Sequence, residues 1–149
     1  MNFDFIDADD FIEKKQGKSI AEIFEEEGEE FFRQLEQEFL GLNWENTIVS
    51  LGGGTPCYED NLATIKEKGV SVYLKLPVKA LAHRLYAAKN SRPLIAPFKD
   101  DLEKLTDFIQ ENLRKREVYY DQADLIIDSM DMSAEKIDEL ATRILEFGQ

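Results

Sequence analysis

At 149 residues and 43% apolar content, the chain is long enough for one compact domain with a real core and too short for two independent ones. Its 31 acidic and 18 basic residues leave a net charge of −13, which argues against nucleic acid or an anionic membrane as partner, because both reward clusters of Lys and Arg. A lone cysteine, Cys57, excludes an internal disulfide, and with no apolar run of membrane-span length and no signal-peptide pattern the expectation is a cytoplasmic protein.

The first strand signal is FDFID at 3–7, followed by a short helix over 10–15. Next comes QGKSI at 16–20, whose Gly-Lys-Ser triplet resembles the tail of a phosphate-cradling loop. That loop needs a second glycine where Ile12 stands, and a strand before it where a helical pattern runs. Ser19 with Glu22 three residues on reads instead as a capping box opening a helix over 19–27. EEEGEE is a solvated junction to a helix over 29–40, which aligns Phe32, Leu35 and Phe39 on one stripe and stops before Gly41. TIVSL at 47–51 is a strand running into SLGGGTP, and Asp60 is placed to cap a helix over 60–68. VSVYLKL at 70–76 is the third strand and 79–88 a helix. AKNSRPLIAPFKDD is the expected mobile loop, because its two prolines break regular structure. A helix over 101–116, the strand DLIID at 124–128 and a helix over 133–147 with Ser133 as cap complete the chain. Several strands are apolar throughout, which favours a parallel sheet covered on both faces, hence an α/β layered domain over 1–149.

In open α/β sheets ligands sit at the carboxyl ends of strands, which draws attention to FIDADDFIE. Asp7 and Asp9 are placed where a base or metal partner would be useful and, spaced by two in an extended segment, would point the same way; the competing reading is that Asp9 or Asp10 caps the next helix. The triple glycine after the second strand lets backbone approach a ligand, or is a plain tight turn. Arg33, Arg92 and Arg116 are candidates for a guanidinium fork that binds carboxylate or phosphate. Arg33, with Glu29 at i−4 and Gln37 at i+4, also fits an ordinary helix-surface arrangement. Cys57, with His83 as the sole histidine, reads as a small buried hydrophobe rather than a nucleophile.

The order FIDADDFIE, GKSIAEIFEEEGEEFFRQLE, SLGGG, VYLKL, RPLI, KREVYYDQADLIID resembles the shikimate kinase family over nearly the whole chain. The resemblance implies a three-layer nucleoside-monophosphate-kinase-like α/β fold with a parallel sheet, a substrate-binding helical region at 10–45 and a lid at 88–100. It implies ATP-dependent phosphorylation of the shikimate 3-hydroxyl with Mg2+, by a monomer. Asp9 matches the aspartate that holds the reacting hydroxyl, and Asp7 the acidic residue near magnesium. Arg33 and Arg116 match the pair that grips the shikimate carboxylate, and Gly53 and Gly54 match the backbone against its ring. Arg92 matches the lid arginine over the transferring phosphoryl group, and Arg84 loosely matches a nucleotide contact.

The sequence departs from the family at three places. Val118 stands where proline usually follows KRE, and Leu51 where threonine often precedes the glycines. The family's opening strand, Gly-rich Walker loop and first helix have no counterpart, since Met1 falls just before the second strand. The expectation is that an upstream segment carries the nucleotide cradle and that Met1 is an internal methionine or a numbering choice. The alternatives are a shikimate-binding remnant without catalysis, or a related small-molecule kinase with another substrate.

Overall fold

The computed structural model describes residues 2–88, 96–98 and 100–148, so most of the expected lid at 88–100 lies outside the described residues. The chain forms two compact units, Met1–Lys68 and Gly69–Gln149.

The first unit runs β1 (Asp4–Asp7), α1 (Ala8–Gln16), α2 (Ile20–Glu27), α3 (Glu29–Leu40), β2 (Thr47–Ser50), a 3-10 turn (Thr55–Cys57) and α4 (Asn61–Lys68). β1 and β2 pair in parallel, with Asp4 opposite Thr47 and Asp7 opposite Ser50, so the carboxyl ends of both strands are level. Alternation decides which side chains meet the helices. Ile6 and Val49 pack with the buried Ala8, Phe39 and Leu40, whereas Phe5 and Ile48 point outward at 70% and 50% exposure. On the inward face α1 and α3 supply the cover. A second cluster of Ile12, Ile23, Phe32 and Leu35 joins the three helices, with Phe24 against Phe32 at 5.0 Å. Burying each such side chain is worth about 1.5–3 kcal/mol, which is why the Phe32, Leu35 and Phe39 stripe fixes how α3 sits. Trp44 closes the end of that helix, donating from Nε1 to the Phe39 carbonyl at 2.8 Å.

The Gly-Lys-Ser triplet is used up by local structure. Gly17 ends α1 at φ 67°, in the left-handed region where glycine carries no steric penalty. Lys18 pairs with Glu26 at 2.6 Å. Ser19 and Glu22 form both halves of the capping box of α2.

The second unit comprises β3 (Val72–Lys75), α5 (Val78–Ala87), a 3-10 turn (Ala96–Phe98), α6 (Leu102–Tyr120), β4 (Leu125–Asp128) and α7 (Ala134–Phe147). β3 and β4 are parallel partners, Val72 opposite Leu125 and Lys75 opposite Asp128. Ala82, Leu105 and Ile109 form its core between α5 and α6. Asp101 and Ser133 cap their helices as side-chain acceptors. α6 continues past the expected end at 116 to Tyr120, because Val118 keeps the N–H and lacks the ring that would stop it.

Candidate active site

β1 passes into α1 without an intervening loop, and this sets the first carboxylates. Asp7 is the N-cap, its Oδ1 accepting from the Asp10 N–H at 3.1 Å. Asp9 lies inside the first turn of α1. Two readings from sequence are thereby corrected: Asp7 and Asp9 do not share an extended segment, and the cap is Asp7 rather than Asp9 or Asp10. Helical rotation, not strand alternation, aims Asp9.

The residues after β2 complete the cluster from the other side. A side chain on Gly52 would start 3.1 Å from Glu36 Oε2, 3.4 Å from Thr55 Oγ1 and 3.7 Å from Asp9 Oδ1. On Gly54 it would start 2.4 Å from Arg33 Nη2 and 2.6 Å from Cζ, inside the guanidinium itself. Gly54 has φ −86°, which any residue adopts, so close approach rather than backbone conformation requires glycine there. Level strand ends thus bring Asp9, Arg33, Gly52 and Gly54 into one neighbourhood.

Arg33 is buried at 9% exposure, contrary to the helix-surface reading. Its Nη1 donates to Glu36 Oε1 at 2.5 Å and its Nη2 to Glu29 Oε1 at 3.2 Å. Burial is the largest single influence and pulls its pKa down, but the hydrogen bonds and charges of Glu36 and then Glu29 outweigh it and leave the pKa raised. The guanidinium stays charged inside the protein. Glu36, at 1% exposure, binds Arg33 through one oxygen and accepts the Thr55 hydroxyl through the other.

Glu36, Thr55 and Gly52 were missed as site residues. A signal for Glu36 was present: it falls four residues after Phe32 and three before Phe39, so a carboxylate lies on the apolar stripe of α3. Thr55 and Gly52 carry no comparable mark. Cys57, expected to be buried, is half-exposed, with its thiol 3.9 Å from the Gly53 carbonyl. Arg116 lies on α6 and Arg84 in the last turn of α5, both in the second unit, and Arg92 lies outside the described residues. For magnesium, Asp7 has one oxygen engaged as a cap, and no group of three or more His, Cys, Asp or Glu suited to a metal occurs among the described residues.

Beside the cluster, the Tyr58 hydroxyl donates to Glu30 Oε1 at 2.5 Å. That hydrogen bond first, then burial and the charges of Glu30 and Glu59, push the Tyr58 pKa up to about 12 from 10.0. In the range between those values the unfolded chain has lost the proton that the folded chain keeps, so this stabilisation is full below about pH 10 and lost as pH rises through about 12. Over that window the unaltered chain should lose thermal stability more steeply than Tyr58→Phe. Parallel melting curves across the window would refute the coupling.

Comparison with known proteins gives one family. The shikimate kinase family model matches residues 1–148. A shikimate kinase of Azobacteroides pseudotrichonymphae is 43% identical over 130 residues, covering 85% of this chain and 75% of that protein. One from Flavobacterium johnsoniae is 48% identical over 123 residues, covering 80% and 70%. The crystal structure of the Bacteroides thetaiotaomicron shikimate kinase superposes with a TM-score of 0.82 at 34% identity, over 98% of this chain and 84% of that one. The Acinetobacter baumannii shikimate kinase in complex with shikimate gives a TM-score of 0.77 at 31% identity, over 97% and 78%. These likenesses place the fold among the nucleoside-monophosphate-kinase-like α/β proteins, and the chain belongs to the shikimate kinase family.

Proposed function

We propose that the chain is a cytoplasmic kinase that phosphorylates the 3-hydroxyl of shikimate from ATP, a step of aromatic amino-acid biosynthesis. The observation that carries this reading is the single neighbourhood beyond β1 and β2 that combines a carboxylate, a buried charged guanidinium and side-chain-free backbone. Asp9 holds the reacting hydroxyl and accepts its proton as the oxygen bonds to the γ-phosphorus and the bond to the ADP oxygen breaks. Arg33 grips the substrate carboxylate, and its raised pKa keeps the charge this needs; Arg116 is the second candidate that the family resemblance offers for that role. Gly53 and Gly54 let the ring lie close to the backbone. Arg92 and Arg84 serve the phosphates and the nucleotide. Asp7 would hold Mg2+ through water, and that ion supplies charge neutralisation to the phosphates.

Calorimetry with shikimate and with ATP, each alone, tests the reading. Shikimate is expected to bind, and Gly54→Ala to weaken it by about 100-fold, because displacing a paired buried guanidinium costs several kcal/mol. Unchanged affinity in Gly54→Ala would remove Arg33 from substrate recognition. Heat from shikimate with none from ATP would favour the binding-only alternative.

A further inference from the structure

Thr55 is 1% exposed, although it sits in a glycine-rich turn. Its hydroxyl donates to Glu36 Oε2, and its backbone carbonyl accepts from the Asn61 side-chain amide at 3.0 Å. Asn61 is buried at 1% and belongs to α4. The turn is tight: the Thr55 N–H donates to the Gly52 carbonyl and the Cys57 N–H to the Gly54 carbonyl, both at 3.1 Å, with Pro56 fixing φ between them. A chain of contacts therefore runs from α4 through Thr55 and Glu36 to the Arg33 guanidinium.

We propose that Thr55 is a positioning residue for recognition of the substrate carboxylate, acting through Glu36 on Arg33. The inference rests on the reading that Arg33 meets that carboxylate. A glutamate's terminal torsion is broad, so one ion pair alone leaves the plane of its carboxylate poorly fixed. An ionised carboxylate only accepts hydrogen bonds, so the Thr55 hydroxyl has to donate, and this contact settles the plane. With both Glu36 oxygens held, Nη1 of Arg33 is pinned and the guanidinium keeps its place over Gly54. Losing the hydroxyl leaves a buried carboxylate oxygen without its donor and releases the rotation.

The test compares Thr55→Val, which keeps the shape, with Thr55→Ser, which keeps the hydroxyl, by calorimetry on the full chain. The probes are shikimate and its methyl ester, which lacks the carboxylate charge. Thr55→Val is expected to weaken shikimate about 10-fold, with Thr55→Ser within about 2-fold of the unaltered chain. Binding of the ester is expected to be weak and the same in all three. Thr55→Ala is a second hydroxyl-free variant and should match Thr55→Val. Unaltered shikimate affinity in the hydroxyl-free variants would overturn this inference alone, as would an equal loss for the ester, which marks a merely structural role. Failure of the unaltered chain to bind shikimate would overturn the underlying reading as well.

Discussion

Asp9→Asn is expected to lower the rate of shikimate phosphorylation by about 10²–10⁴-fold, the usual contribution of a positioned general base. The substitution is isosteric and leaves the cap of α1 in place. Asp7, not Asp9, caps α1, and the neighbouring Ala8 supplies the buried contact. The weaker interaction with the helix N-terminus costs about 0.3–1 kcal/mol. Melting temperature should therefore hold while turnover falls, and shikimate affinity should change by no more than about 10-fold, since the amide oxygen still accepts a hydrogen bond. A steady-state assay with shikimate, ATP and Mg2+, run beside calorimetry, separates the two effects. Undiminished turnover would exclude Asp9 as the base.

The second large effect concerns stability. Removing one partner of a buried ion pair leaves the other charge desolvated, at about 3–5 kcal/mol. Glu36 is the more buried member, with its side chain at 1% exposure against 11% for Arg33. Among the described residues, Glu36→Ala leaves Arg33 with one carboxylate partner, the exposed Glu29, and strips Thr55 of its acceptor. For a chain of this size, a loss near 3 kcal/mol lowers the melting temperature by about 6–12 °C. Glu29→Ala is the control. Its carboxylate is 56% exposed, and an exposed pair contributes about 0–1 kcal/mol. Equal losses from the two variants would mean that burial of Glu36 contributes nothing.

Sequence pattern identified every helix and strand of the described residues to within a few positions, because periodicity and capping are local. Ser19 with Glu22 and the Phe32, Leu35, Phe39 stripe each sit within one or two turns. What failed was decided by tertiary contacts. Asp9 was assigned to extended chain because nothing local shows where β1 yields to α1, two residues earlier than the helical pattern suggested. For Arg33 the sequence left a binding guanidinium and a helix-surface arrangement both open, because Glu29 at i−4 accounts for it locally, whereas the close approach of Gly54 that marks its burial comes from 21 residues away. The buried Glu36 was legible as an acid on an apolar stripe, but Thr55 was not, since a small residue after glycines looks the same in any turn.

The direct passage from β1 into α1 constrains how this chain can vary in length. Asp7 is the last residue of the strand and the helix cap at once, so no slack separates the sheet from Asp9. One extra residue there would turn Asp9 by about 100° around the helix axis, away from Gly52. A change of length between Asp7 and Asp9 would therefore re-aim the carboxylate, and the spacing of those two aspartates acts as a ruler for the site.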